Sequence, residues 1–153
     1  MSPADRIVPT APMGRRAFLQ VAPAIVPILA TACAGARYAP ASLDEERLAV
    51  ARGDVGGKGA LVESPGNELP IFVRAVGDDQ FVALSTRCMH RGCQVDPGGD
   101  RFVCPCHGSE YSLSDGAVLK GPTEKPLVRF HVTASATHVF VHLDQPLAPG
   151  ATR

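Results

Sequence analysis

The chain has 153 residues, which is enough for one domain of ordinary size. Its 15 Lys and Arg residues balance its 15 Asp and Glu residues, so net charge gives no reason to expect a nucleic-acid partner. Glycine and proline are frequent, with 15 and 14 copies, and this composition favours short strands joined by turns over long helices.

An arginine pair followed by an apolar run lies near the N-terminus. Residues 13–19 read Met-Gly-Arg-Arg-Ala-Phe-Leu, and residues 17–34 contain no charged side chain. A positive region followed by an apolar region is typical of an export signal. The arginine pair followed by x-Phe-Leu resembles the twin-arginine signal, whose route carries folded proteins. We therefore expect the chain on the periplasmic side of a bacterial cytoplasmic membrane.

Cys33 ends the apolar run in the string Leu-Ala-Thr-Ala-Cys-Ala-Gly. This string resembles a lipoprotein processing site, which implies that Cys33 becomes a lipidated N-terminus. Two alternatives stay open: an uncleaved membrane anchor, whose helix Pro23 and Pro27 would weaken, and cleavage that releases the protein.

These features divide the chain into four segments. The expected segments are an export signal or membrane anchor at 1–33, a linker at 34–43, a folded domain at 44–147 and a tail at 148–153.

Short alternating segments between turns predict β-strands throughout the folded domain. These segments are residues 48–51, 60–63, 69–76, 80–85, 101–104, 110–113, 117–119, 128–132 and 139–143. A tight turn is expected at 97–100, and the sequence has no internal repeat. We expect an all-β fold, an antiparallel β-sandwich or small barrel.

Two motifs carry most of the cysteines. They read Cys88-Met-His90-Arg-Gly-Cys93 and Cys104-Pro-Cys106-His107-Gly-Ser. Cysteine interleaved with histidine indicates a metal site or disulfides. The pattern alone leaves open a zinc site of two Cys and two His, a cysteine nucleophile beside a histidine, and two disulfides without a metal.

The spacing of these motifs closely resembles the Rieske iron–sulfur family, in its disulfide-containing respiratory branch. The resemblance implies a Rieske-type β fold in which two loops form a cluster-binding subdomain, with one [2Fe–2S] cluster per chain. It implies Cys88 and Cys104 as ligands of one iron, and His90 and His107 as ligands of the other. Two imidazoles in place of two thiolates raise the reduction potential.

The same resemblance gives roles to four further side chains. It implies a disulfide between Cys93 and Cys106, which suits an exported domain. It also implies that the hydroxyls of Ser109 and Tyr111 donate hydrogen bonds to cluster sulfurs, which raises the potential further. The pair Gly121-Pro resembles the proline loop that covers the cluster.

Arg91 occupies a position at which quinol-oxidising members of the family carry Leu. A charged side chain enters an apolar quinol pocket only at a cost. The segment between the motifs, residues 94–103, is also short. Both features favour a redox partner other than a quinol-oxidising complex.

The resemblance implies three alternative functions. In each of them the chain transfers electrons to or from other proteins and does not catalyse a reaction alone. The first is a membrane-tethered subunit of a respiratory quinol–cytochrome c type oxidoreductase, with a cytochrome b or c partner. The second is the small subunit of a periplasmic molybdenum oxidase such as arsenite oxidase, with a molybdopterin subunit as partner. The third is a dioxygenase ferredoxin, against which the export signal and the Cys93–Cys106 pair argue. The tether would be a lipid or an N-terminal anchor.

Overall fold

The computed structural model describes residues 37–66 and 69–147, so the expected export segment, Cys33 and the tail lie outside the described residues. The described part forms twelve β-strands and one 3₁₀ turn at Arg52–Asp54, with no α-helix. It therefore contains no helix that is long and apolar enough to cross a membrane. The all-β fold class expected from the sequence is confirmed.

Eight strands form a large sheet. They are β1 Arg37–Ala39, β2 Ala41–Asp44, β3 Arg47–Ala51, β4 Ala60–Val62, β5 Ile71–Ala75, β6 Phe81–Ser85, β11 Arg129–Ala134 and β12 His138–Leu147. Their order is β1-β4-β5-β6-β11-β12-β3-β2. Neighbouring strands run antiparallel, except that β1 and β4 pair in parallel.

Four strands inserted between β6 and β11 form a small sheet. They are β7 Asp96–Gly98, β8 Arg101–Val103, β9 Glu110–Ser112 and β10 Val118–Lys120. The sheet is antiparallel, in the order β10-β9-β8-β7. The two cysteine motifs lie directly before β7 and between β8 and β9, so this sheet is the base of the candidate site.

Strands β4, β5 and β6 bury both of their faces. Val62 and Val73 pack into a core shared with β3 and β12 of the large sheet. The alternate residues Phe72 and Leu84 pack into a second core shared with the small sheet. There the ring of Phe72 meets that of Phe102 edge-on, with centroids 4.9 Å apart. This second core fixes the small sheet against the large one.

The structure differs from the sequence expectation at two places. Residues 37–43, assigned to the linker, contain β1 and all of β2 except its last residue, Asp44. Strand β2 pairs with β3 while all its side chains stay exposed, so it leaves no alternating pattern to detect. Residues 96–98 form β7, and the expected turn narrows to residues 99 and 100. Pro97 is tolerated in β7 because this is an edge strand.

Candidate metal centre

Loop 1, residues 86–93, leaves the end of β6 and folds around its first cysteine. The Cys88 N–H donates to the Cys93 carbonyl at 2.8 Å, and the Gly92 N–H donates to the Cys88 carbonyl at 2.8 Å. Gly92 has a φ of 80°, in the left-handed region that favours glycine. These two hydrogen bonds close the first motif into a tight loop.

Loop 2, residues 104–109, connects β8 to β9 and has the same backbone arrangement. The Cys104 N–H donates to the Ser109 carbonyl at 2.8 Å, and the Gly108 N–H donates to the Cys104 carbonyl at 2.9 Å. Gly108 also has a positive φ, of 72°. The two loops are therefore structural counterparts, with Ser109 in loop 2 where loop 1 has Cys93.

Four side chains that could bind a metal lie in the two loops. The thiols of Cys88 and Cys104 are buried, at 2% and 1% exposure, and neither forms a disulfide. The rings of His90 and His107 meet at nearly a right angle, with centroids 4.7 Å apart. His107 is exposed and His90 is half-buried, so the thiols lie inside and one imidazole reaches the surface.

A disulfide joins the two loops. It links Cys93 to Cys106, as the family resemblance implies. The sulfur of Cys104 lies within 4.8 Å of both disulfide sulfurs. Since these two sulfurs are bonded to each other, the three cysteines are not a set of thiolate ligands. The disulfide instead cross-links the loops beside the free thiols.

Two buried polar atoms of loops 1 and 2 have no hydrogen-bond partner within the described residues: Nδ1 of His90 and Oγ of Ser109. An unsatisfied buried donor or acceptor costs about 1–3 kcal/mol. A bound group that offers a metal ion to the imidazole and an acceptor to the hydroxyl removes both costs. Together with two free thiols and a second imidazole, these atoms fit an iron–sulfur group of the Rieske type.

Tyr111 reaches from β9 to loop 1. Its hydroxyl lies 3.2 Å from the Cys88 sulfur and 3.2 Å from the Met89 nitrogen. The Met89 N–H donates to the tyrosine oxygen, which leaves the phenolic proton to be donated to the sulfur. Burial, and then the hydrogen bond to Cys88, raise the pKa of Tyr111 to about 12. The phenol therefore stays protonated as a donor at neutral pH.

The environments of the two free thiols differ. Burial raises the pKa of the Cys104 thiol above its ordinary value. Burial also acts to raise the pKa of Cys88, but hydrogen bonds from Tyr111 and from the His90 backbone outweigh it, and the pKa is lowered. The Ser109 hydroxyl is near enough to Cys88 to contribute in the same direction, although it makes no hydrogen bond of ordinary geometry. Hydrogen-bond donors thus favour the thiolate of Cys88.

Loop 3, residues 121–126, packs against loop 2 at a glycine. Gly121 has a φ of 142°, and a Cβ placed on it would lie 2.6 Å from the Ser109 Cα. Only a residue without a side chain permits this approach. The sequence indicated a covering loop at Gly121-Pro122, but the contact with Ser109 has no sequence signal of its own.

Comparisons with known proteins agree with this geometry. The family model for the Rieske [2Fe-2S] domain matches residues 41–134, more than half of the chain. The cytochrome b6-f complex iron-sulfur subunit of Prochlorococcus marinus (strain MIT 9515) is 37% identical over 78 residues, which are 50% of this chain and 43% of that protein. The subunit of the same name from Synechococcus sp. (strain RCC307) is 38% identical over 76 residues, 47% of this chain and 42% of that protein.

A chain of a solved structure is matched over its full length by the present chain. It belongs to the complex of reduced oxygenase and oxidized ferredoxin in carbazole 1,9a-dioxygenase, with a TM-score of 0.55 and 29% identity. The match covers 69% of this chain and 100% of that chain. The curated relatives are matched over less than half of their length. The family match confirms the [2Fe–2S] cluster as the cofactor, and the chain belongs to the Rieske [2Fe-2S] domain family.

Proposed function

We propose that Cys88 and Cys104 bind one iron of the cluster and that His90 and His107 bind the other, so that the chain carries one electron at a time. The observation that carries this proposal is the pairing of the two loops, which brings two buried free thiols together with two imidazole rings 4.7 Å apart. The bound cluster supplies the one-electron redox chemistry.

The exposed ring of His107 gives this site an edge for electron exchange. The buried thiols would hold the cluster on the inside, and the imidazoles would lie between it and the surface. Hydroxyl donors at Tyr111 and Ser109 stabilise negative charge on sulfur and so favour the reduced state. The chain's own residues therefore support a carrier of comparatively high potential.

We further propose that the chain is a membrane-tethered subunit of a quinol–cytochrome c type oxidoreductase, and that its domain lies on the periplasmic side of the membrane. The similarity to cytochrome b6-f complex iron-sulfur subunits supports a cytochrome-type partner. The disulfide supports an exported domain, as does the resemblance of residues 13–19 to a twin-arginine signal. Lipidation of Cys33 is the proposed tether, with an N-terminal anchor as the alternative.

Specific observations favour two other carriers. Arg91, exposed beside His90, favours a partner without an apolar quinol pocket, such as the molybdopterin subunit of an arsenite oxidase-like enzyme. The structural match to a chain of the carbazole dioxygenase complex, over the full length of that chain, favours a ferredoxin. A midpoint potential well below zero would support the ferredoxin over both respiratory functions.

The ligand assignment is tested on the full chain. Iron and acid-labile sulfide are assayed together with the EPR spectrum of the reduced protein, in the wild type and in His107→Ala. His138→Ala is the matched control, because His138 is an exposed histidine on β12. We expect the Rieske signal in the wild type and in the control, and its loss in His107→Ala. A Rieske signal that His107→Ala leaves unchanged would refute the assignment.

A further inference from the structure

Charge is segregated along the domain. Loops 1, 2 and 3 together hold three basic side chains, those of Arg87, Arg91 and Lys125, and one acidic side chain, that of Glu124. The other described residues hold eight basic and twelve acidic side chains. The loop-bearing tip is thus positive while the remainder of the described domain is negative.

Arg91 is the central charge of this tip. It lies between His90 and Gly92 in loop 1, it is exposed, and it has no ion-pair partner within residues 37–66 and 69–147. The side chain of Lys125 is exposed in loop 3, the loop whose Gly121 packs on Ser109. Both charges therefore lie on loops that form the candidate site.

The basic residue next to the tip on the small sheet is neutralised. Lys120 pairs with Glu110 at 3.4 Å, and the second oxygen of that carboxylate binds Arg101 at 2.8 Å. At the other end of the β5–β6 hairpin the carboxylate of Asp79 pairs with Arg52, whose guanidinium also donates to the backbone carbonyl of Asp78. The positive tip and the negative remainder of the described domain together give it a dipole that orients it toward a charged partner.

We propose that the tip formed by loops 1, 2 and 3 docks on an acidic face of a protein redox partner, with Arg91 as the principal charged contact. This inference rests on the proposed electron-transfer function and names the partner surface for it. An acidic protein is favoured over an anionic membrane, because each basic residue contributes about 1 kcal/mol at a membrane surface and only three lie here, beside Glu124.

The test uses the reduced full chain and two small one-electron oxidants of opposite charge. Ferricyanide and tris(1,10-phenanthroline)cobalt(III) each accept one electron from the reduced chain, so each reaction oxidises the chain by one electron. Stopped-flow rates are measured at ionic strengths of about 0.01 M and about 0.2 M, where screening is weak and strong respectively. We expect salt to slow the reaction with ferricyanide and to accelerate the reaction with the cobalt complex.

Charge-matched variants locate the effect. Arg91→Gln is expected to slow the ferricyanide reaction roughly threefold at low ionic strength and to leave it unchanged at high ionic strength. Lys58→Gln is the control, because Lys58 lies in the turn that contacts Ala75, at the end of the hairpin away from loop 1. We expect this equal change of charge to have little effect.

The outcomes separate the two proposals. A chain without a Rieske EPR signal overturns the proposed function and the docking surface with it. A chain that has the signal, but whose ferricyanide rate is independent of salt or equally sensitive to Lys58→Gln, overturns the docking surface alone. Co-sedimentation with phosphatidylglycerol vesicles that is lost in Arg91→Gln would identify a membrane and not a protein as the target, and would also overturn it.

Discussion

The hydroxyl of Tyr111 lies 3.2 Å from the sulfur of Cys88, across the two halves of the candidate site. Tyr111 belongs to β9, directly after loop 2, whereas Cys88 belongs to loop 1. Its hydroxyl is held in place because it also accepts the Met89 N–H at 3.2 Å. One side chain from the second half of the site thus sets the hydrogen bonding of a proposed ligand in the first half.

Tyr111→Phe should lower the midpoint potential of the cluster. The variant removes a donor to a sulfur that gains negative charge on reduction, and one such bond contributes about 1–1.5 kcal/mol, or roughly 40–65 mV for one electron. The measurement is a spectroelectrochemical titration. Tyr38→Phe is the matched control, because Tyr38 is an exposed residue of β1 and is distant in sequence from both cysteine motifs. Equal potentials in the two variants would contradict this hydrogen-bond role.

Ser109→Ala should also lower the potential, by a similar amount. The Ser109 hydroxyl is buried without a partner in the described chain, so a cluster sulfur is the acceptor that we expect it to meet. The same titration applies, with Ser42→Ala on the exposed strand β2 as the control. If Ser109→Ala kept the wild-type potential, the hydroxyl would have no role in setting it.

The double variant Cys93→Ala/Cys106→Ala should be less stable than the wild type by about 3 kcal/mol, because it removes a cross-link between residues 13 positions apart. We also expect it to lose the cluster absorbance faster during incubation. Denaturant unfolding and the decay of visible absorbance are the two measurements.

A chemical control checks the same cross-link. Dithiothreitol should bring the wild type to the stability of the double variant and should leave the double variant unchanged. An unfolding midpoint that is the same for the wild type and the double variant would show that the disulfide does not hold the loops.

The residues that the two loops bring together are predictable from the sequence, because each half of the site is contained within six consecutive residues. Cys88 with His90 and Cys104 with His107 are close in the chain, and the glycines that follow permit the turns. Contacts inside a short loop depend on local conformation, which spacing and glycine placement reveal. The family resemblance then supplied the pairing of the loops.

Contacts between segments that are distant in the chain are not predictable from the sequence pattern alone. Strand β1 exists because it pairs in parallel with β4, and β2 exists because it pairs with β3, although neither has an alternating pattern. The contact between Gly121 and Ser109 likewise requires two loops to meet. That His90 Nδ1 has no hydrogen-bond partner among the described residues depends on how separate segments pack around it. No local pattern encodes these relationships.

Gly121→Ala should move loop 3 away from loop 2 and destabilise the domain. The added Cβ would lie 2.6 Å from the Ser109 Cα, which is backbone and cannot rotate away, and the φ of 142° is unfavourable for alanine. We expect a loss of about 1–3 kcal/mol in the free energy of unfolding, measured by denaturant titration, since overpacking costs this much. A shifted Ser109 hydroxyl should also lower the potential toward that of Ser109→Ala.

Gly53→Ala is the control for Gly121→Ala, because a Cβ at Gly53 meets no atom within 4 Å. Equal stability of Gly121→Ala and Gly53→Ala would show that loop 3 does not pack against the site.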